Sequence, residues 1–116
     1  MNSTFRESHA AIAVALAATD ALFDGSSGTP INGATDTMMT IQNTGANNLN
    51  LTWSEGTQGG PLIAVTAVGA AVNPIVAGTN VIIHVTDMSA KRIRVQLTAL
   101  VGVTTATVDI EGVHIS

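Results

Sequence analysis

The chain has no cysteine and no tyrosine, one tryptophan, two phenylalanines and three prolines. Without cysteine there is neither a disulfide nor a thiolate metal site, so any tie between segments is non-covalent. Charge is also scarce: 10% of residues are ionic, against about 25% in ordinary domains. Intrinsic disorder is excluded, because disordered chains are polar and highly charged, whereas 46% of this one is hydrophobic. A net charge of −4 argues against the basic face that phosphate neutralisation requires, so nucleic acid is not expected as a partner. Long apolar runs are missing as well. Residues 56–83 carry no charge, but Gly59-Gly60-Pro61 and Asn73-Pro74 interrupt them. The stretch between falls well short of the ~20 residues a spanning helix needs, and no membrane partner is expected. Residues 10–18 form a short apolar run behind Arg6 that loosely resembles a signal-peptide core, but Glu7 offsets that charge and the run is mostly alanine.

What the chain has instead is uncharged polarity: 16 Thr, 8 Asn and 7 Ser. Threonine is β-branched and hydrogen-bonds without a charge, which suits exposed strand faces. A surface poor in Lys, Glu and Asp also suits contact with other chains, and a free monomer normally carries more charge. Association is therefore expected. At 116 residues the chain fits one domain.

A strand pattern occurs twice. Residues 30–53, moved along by 44 positions, fall on residues 74–97 without a gap. Pro30-Ile31 meets Pro74-Ile75, and Leu49-Asn50-Leu51-Thr52-Trp53 meets Ile93-Arg94-Val95-Gln96-Leu97. Four of the 24 pairs are identical, too few to show common ancestry, yet the apolar rhythm agrees throughout. The repeat reads as two similar hairpins in one β-sandwich.

Residues 1–9 lack either period and read as an extended N-terminal arm before a single domain over 10–116. In residues 11–17, Ile12, Val14 and Leu16 alternate with alanine. A strand is preferred to a helix there, since Val14 would leave the helical stripe. Further strands are expected at 37–43, 48–54, 61–68 (apolar on both faces, hence covered on both), 80–86, 92–99 and 104–115. Residues 24–37 are a long turn-rich connection, and Asn43-Thr44-Gly45-Ala46-Asn47 is hairpin material. In the last strand Val113 and Ile115 break parity with Ala106, Val108 and Ile110, so Gly112 is expected to sit at a bulge. The sum is an all-β sandwich, a jelly roll among the options, of seven or eight short antiparallel strands.

Chemistry is sparse. His9, His84 and His114 lack the spacings that bring imidazoles to one metal, so no metal is expected. Gly25-Ser26-Ser27-Gly28 lacks the G-x-S-x-G elbow of a serine nucleophile. Gly56-Thr57-Gln58-Gly59-Gly60 lacks the ending of a phosphate loop. Asp109 and Glu111 share an outward face, where a solvated pair is the default. Lys91, Arg92 and Arg94 form a small basic cluster that reads first as a solvated or salt-bridged strand face. Trp53 shares the face of Leu49 and Leu51 and reads as core, which weakens a glycan platform. Neither catalytic residues nor a cofactor is expected, and the chain reads as a non-enzyme.

Asp36-Thr37-Met38-Met39-Thr40-Ile41-Gln42-Asn43-Thr44-Gly45, the strand Asn48–Trp53, and Pro74-Ile75-Val76-Ala77-Gly78-Thr79-Asn80-Val81 resemble stretches of small β-sandwich structural proteins of tailed-phage particles. The likeness covers about half of the chain and carries no catalytic residue. It implies a head decoration (cement) protein on the capsid exterior, or second a tail or fibre module. Implied partners are further copies of the chain, as a homotrimer, and a major capsid or other virion protein. Phe5, Arg6, Lys91, Arg92 and Arg94 are the expected interface residues, with the 1–9 arm burying Phe5 against a neighbour. The alternative is a ligand- or glycan-binding module of a phage tail or bacterial surface protein.

Overall fold

The computed structural model describes residues 2–115; Met1 and Ser116, the ends of the expected arm and domain, lie outside the described residues. It has nine strands: β1 Asn2–Val14, β2 Thr19–Asp20, β3 Thr29–Pro30, β4 Asp36–Asn43, β5 Leu49–Gly56, β6 Ile63–Ala64, β7 Asn80–Val85, β8 Arg92–Ala99 and β9 Thr104–His114. A five-residue helix, α1 (Thr66–Ala70), is the only α-helix among the described residues. One sheet runs β1-β9-β4-β7; the other runs β2-β8-β5-β6, with β3 also pairing with β8. Apart from β3, the antiparallel pairs β1–β9, β2–β8, β4–β7 and β5–β6 are nested, as in one long hairpin rolled up. That is the jelly-roll arrangement of an all-β sandwich.

Alternation builds the core. Along β8, Ile93, Val95, Leu97 and Ala99 are buried while Arg92, Arg94, Gln96 and Thr98 face out. Strands β4, β5 and β9 contribute Met39, Ile41, Leu49, Leu51, Trp53, Ala106, Val108 and Ile110. Trp53 is 1% exposed, as its place in the apolar rhythm implies.

The two segments with the shared rhythm, 30–53 and 74–97, form arches rather than the expected hairpins. β4 pairs with β9 and β7, and β5 with β8 and β6; the segment after Asn43 crosses between sheets. An arch and a hairpin both turn their apolar faces to one core, so they share one sequence rhythm; only hydrogen-bond partners separate them. Met39 faces Ile83 and Thr52 faces Gln96, each meeting its own counterpart 44 positions away. A local pseudo-two-fold therefore relates β4 to β7 in one sheet and β5 to β8 in the other.

Three further expectations need correction. Residues 2–9 are not an arm but the first half of β1, paired with β9 from Asn2↔His114 onward. Their polar side chains suit an edge strand, which carries no strong period. Nor is 61–68 a covered strand: pairing stops at Ile63–Ala64, and most of the run is exposed. The reason lies on β5. Asn73 takes both backbone groups of Leu51, accepting from its N–H at 2.7 Å and donating to its carbonyl at 2.9 Å. With that edge occupied the chain turns into α1, whose Gly69 approaches so closely that a Cβ there would sit 2.6 Å from the Leu51 carbonyl oxygen. Finally, Gly112 keeps the parity of β9 and carries no bulge. The register shift nearest to it falls on β1, between Ser3 and Phe5.

Candidate interaction surface

The expected interface residues do not converge. Phe5 is partly buried against the chain's own core, its ring lying over Gly112 where a Cβ would collide with Cε1. It is therefore not an anchor held out for a neighbour: the missing side chain at Gly112 is the slot that receives it. Arg6 is exposed on β1, opposite Glu111 of β9. Lys91 is exposed at the entry to β8. Arg92 is spent internally: Nε donates to Thr57 O at 2.9 Å, Nη1 to Ser27 O at 2.6 Å, and Nη2 to Gly60 O. It clasps two loops by their carbonyls. Arg94 makes a two-pronged contact with Asp20 at 2.6 and 3.1 Å. That hydrogen bond, aided by the opposite charge and offset in part by burial, raises the Arg94 pKa above its already high usual value. The basic cluster is thus a salt-bridged and carbonyl-bound strand face. His84 and His114 are exposed, and His9 lies 2.7 Å from Glu7. Among the described residues no three His, Asp or Glu side chains are grouped as metal ligands.

Two other surfaces stand out. The first is one end of the sandwich, where residues 15–18, 44–48, 71–79 and 100–103 connect the strands. None of these connections holds a charged residue. They expose Leu16, Val76, Leu100, Val101 and Val103, with Val101 at 81% and Val103 at 70%. The opposite end carries Asp24, Asp36, Asp87, Lys91 and Arg92. Exposed apolar side chains gathered at one end in this way mark a candidate interaction site.

Asparagines hold that end in place of charge. Asn43, 1% exposed, donates from Nδ2 to Asn47 O at 2.9 Å and Ile75 O at 3.0 Å. Its Oδ1 accepts from Gly45 N–H at 3.3 Å and Thr104 Oγ1 at 2.9 Å. All four hydrogen-bonding positions of the amide are filled. Asn47 donates to Val103 O at 2.9 Å, and Asn48 accepts from Ala77 N–H at 3.0 Å. Sequence reasoning took Asn43 for a turn residue. Its position at the last, inward-parity residue of β4 was the available signal.

The second surface is the free edge of β7 beside α1. Ala67, Val68, Ala71 and Val72 face Ile83, Val85 and their neighbours across an open groove of about 400 Å³. Ile82, 62% exposed, stands at its rim. Compared with known proteins, the chain matches no protein-family model and no curated protein.

Proposed function

We propose that the protein is a non-enzymatic structural component of a virus particle, a decoration (cement) protein of the capsid exterior that acts through protein–protein contacts. The observation that carries this reading is the uncharged end of the sandwich, with five exposed aliphatic side chains on four connections, three of them tied by asparagine side chains. Exposing such a surface costs solubility unless a partner covers it. The phage-particle resemblance supplies the setting and the capsid partner, and association between copies of the chain agrees with it. The jelly roll agrees with it, since viral capsid domains are among its users, although lectin domains are too and a fold alone does not fix a function.

The glycan-binding alternative loses its platform with Trp53 buried; Phe23, 85% exposed, is the aromatic it would have to use. The test is co-sedimentation with undecorated shells of the source particle. Val101→Asp combined with Val103→Asp should leave the melting temperature unchanged, both side chains being exposed, and abolish co-sedimentation. Undiminished binding by that variant would remove the apolar end from the argument. Specific retention on a glycan array, lost in Phe23→Ala, would favour the alternative.

A further inference from the structure

We infer that two copies of the chain pair through the free edge of β7, joining their four-stranded sheets into one eight-stranded sheet about a two-fold axis. The inference rests on the reading of the chain as an assembling protein and names the contact.

The edge is open by hydrogen-bond parity. Thr44 N–H donates to Thr105 O, and Asn43 N–H donates to Thr79 O. Even-numbered residues of β4 therefore turn their backbone groups to β9, and odd-numbered ones turn to β7. The partners Val81, Ile83 and Val85 look inward to β4, leaving Asn80, Ile82 and His84 with N–H and C=O pointing away from it. None of the three has a hydrogen-bond partner on that side among the described residues. The pseudo-two-fold axis shows what belongs there. The outer edge of β4, the counterpart of this one, holds β9. One half of the repeat has its flanking strand and the other does not.

A second β7 fits the vacancy. In the place equivalent to β9, a strand must turn apolar side chains inward, as β9 does with Ala106, Val108 and Ile110. β7 has Val81, Ile83 and Val85 at that parity, and these side chains would extend over the groove lined by Val68 and Val72. Set antiparallel with Ile82 opposite Ile82, the strands oppose Asn80 to His84 on either side and form about six backbone hydrogen bonds. No charge opposes a like charge, because residues 56–86 contain none.

The other edge of this sheet is guarded, which disfavours head-to-tail pairing. β1 has register shifts at Ser3/Phe5 and His9/Ile12, and Ala11 sits at a φ of 55°. It also turns Glu7 and His9 toward the sandwich interior, opposite Ile110 and Val108. Bulges and inward charges are how edge strands avoid partners, and β7 has neither, nor a lysine or proline.

The test uses the full chain. Because the Ile82 N–H points away from β4, Ile82→Pro removes an outward donor without breaking the internal ladder. Sedimentation across the micromolar range should give a dimer for the wild type. Ile82→Pro should weaken it about thirtyfold, the loss of two backbone hydrogen bonds, at an unchanged melting temperature. Ile82→Lys, an edge guard that leaves the backbone intact, should also give monomer. Amide exchange in the wild type gives an independent readout: Asn80, Ile82 and His84 should be protected at concentrations where the dimer forms and exchange freely on dilution. A trimer or dimer that persists in both variants would overturn the β7 contact while leaving the assembly reading in place. A wild-type monomer whose edge amides are protected only when bound to shells would assign the edge to the capsid partner instead. A monomer that also fails to bind shells would overturn both readings.

Discussion

Asn43 is where the fold and the proposed surface depend on one side chain. Asn43→Ala removes four hydrogen bonds at a site 1% exposed. The Ile75 carbonyl keeps the Leu49 N–H at 3.1 Å, so it is not orphaned. The Asn47 carbonyl, the Gly45 N–H and the Thr104 hydroxyl lose this partner. At about 1 kcal/mol for each bond lost, with a further penalty for groups left buried and unpaired, the cost is about 3–5 kcal/mol. Domains of this size have a total stability of about 5–15 kcal/mol, so the variant should survive but melt about 10–20 °C lower. Urea unfolding followed by the fluorescence of Trp53, the sole tryptophan and fully buried, measures the loss directly. Asn43→Leu should be no better than Asn43→Ala, because it fills the space without pairing the groups around it. Asn43→Asp keeps both accepted bonds but aims its second oxygen at two carbonyls. Its carboxyl should hold a proton above the usual range, so this variant should be most stable in acid and lose stability as pH rises through the folded pKa. Thr104→Val should couple to Asn43→Ala by about 1 kcal/mol in a double-mutant cycle. An Asn43→Ala variant within about 1 kcal/mol of wild type would refute the clamp.

Gly112→Val should destabilise the domain by about 1–3 kcal/mol through overpacking, because a Cβ there meets the Phe5 ring and, at 2.9 Å, the Ala34 Cβ. Chemical denaturation checks it, and Phe5→Ala should recover part of the loss; an equal loss in both backgrounds would point away from Phe5. Arg94→Gln should cost no more than about 1 kcal/mol, since its pair with Asp20 is over a quarter exposed on each side. The raised Arg94 pKa makes that contribution complete below the unfolded arginine value and lost only as pH climbs through the still higher folded one. The cost should therefore be flat from about pH 6 to 10, and thermal melts showing it fade within that window would contradict the assignment.

Alternation alone determined a good deal of this protein. The inward sets Ile93, Val95, Leu97 and Ala106, Val108, Ile110, the burial of Trp53 and the sandwich itself follow from a period of two, because a strand covered on one face must alternate. The doubled rhythm of 30–53 and 74–97 falls on β4–β5 and β7–β8, and Met39↔Ile83 and Thr52↔Gln96 pair across that same spacing of 44. Tertiary structure decided how those units connect, since arch and hairpin bury the same residues and differ only in which backbone pairs with which. It decided the fate of 61–68, where the Asn73 amide occupies the β5 edge before a strand can extend along it. It turned Arg92 and Arg94 from candidate contacts into internal ties, because the carbonyls of Ser27, Thr57 and Gly60 and the carboxylate of Asp20 reach them from distant segments. The two surfaces proposed for assembly were likewise invisible along the chain. Each is a juxtaposition, of four connections at one end and of an edge strand with a helix, and neither exists until the sheet is rolled.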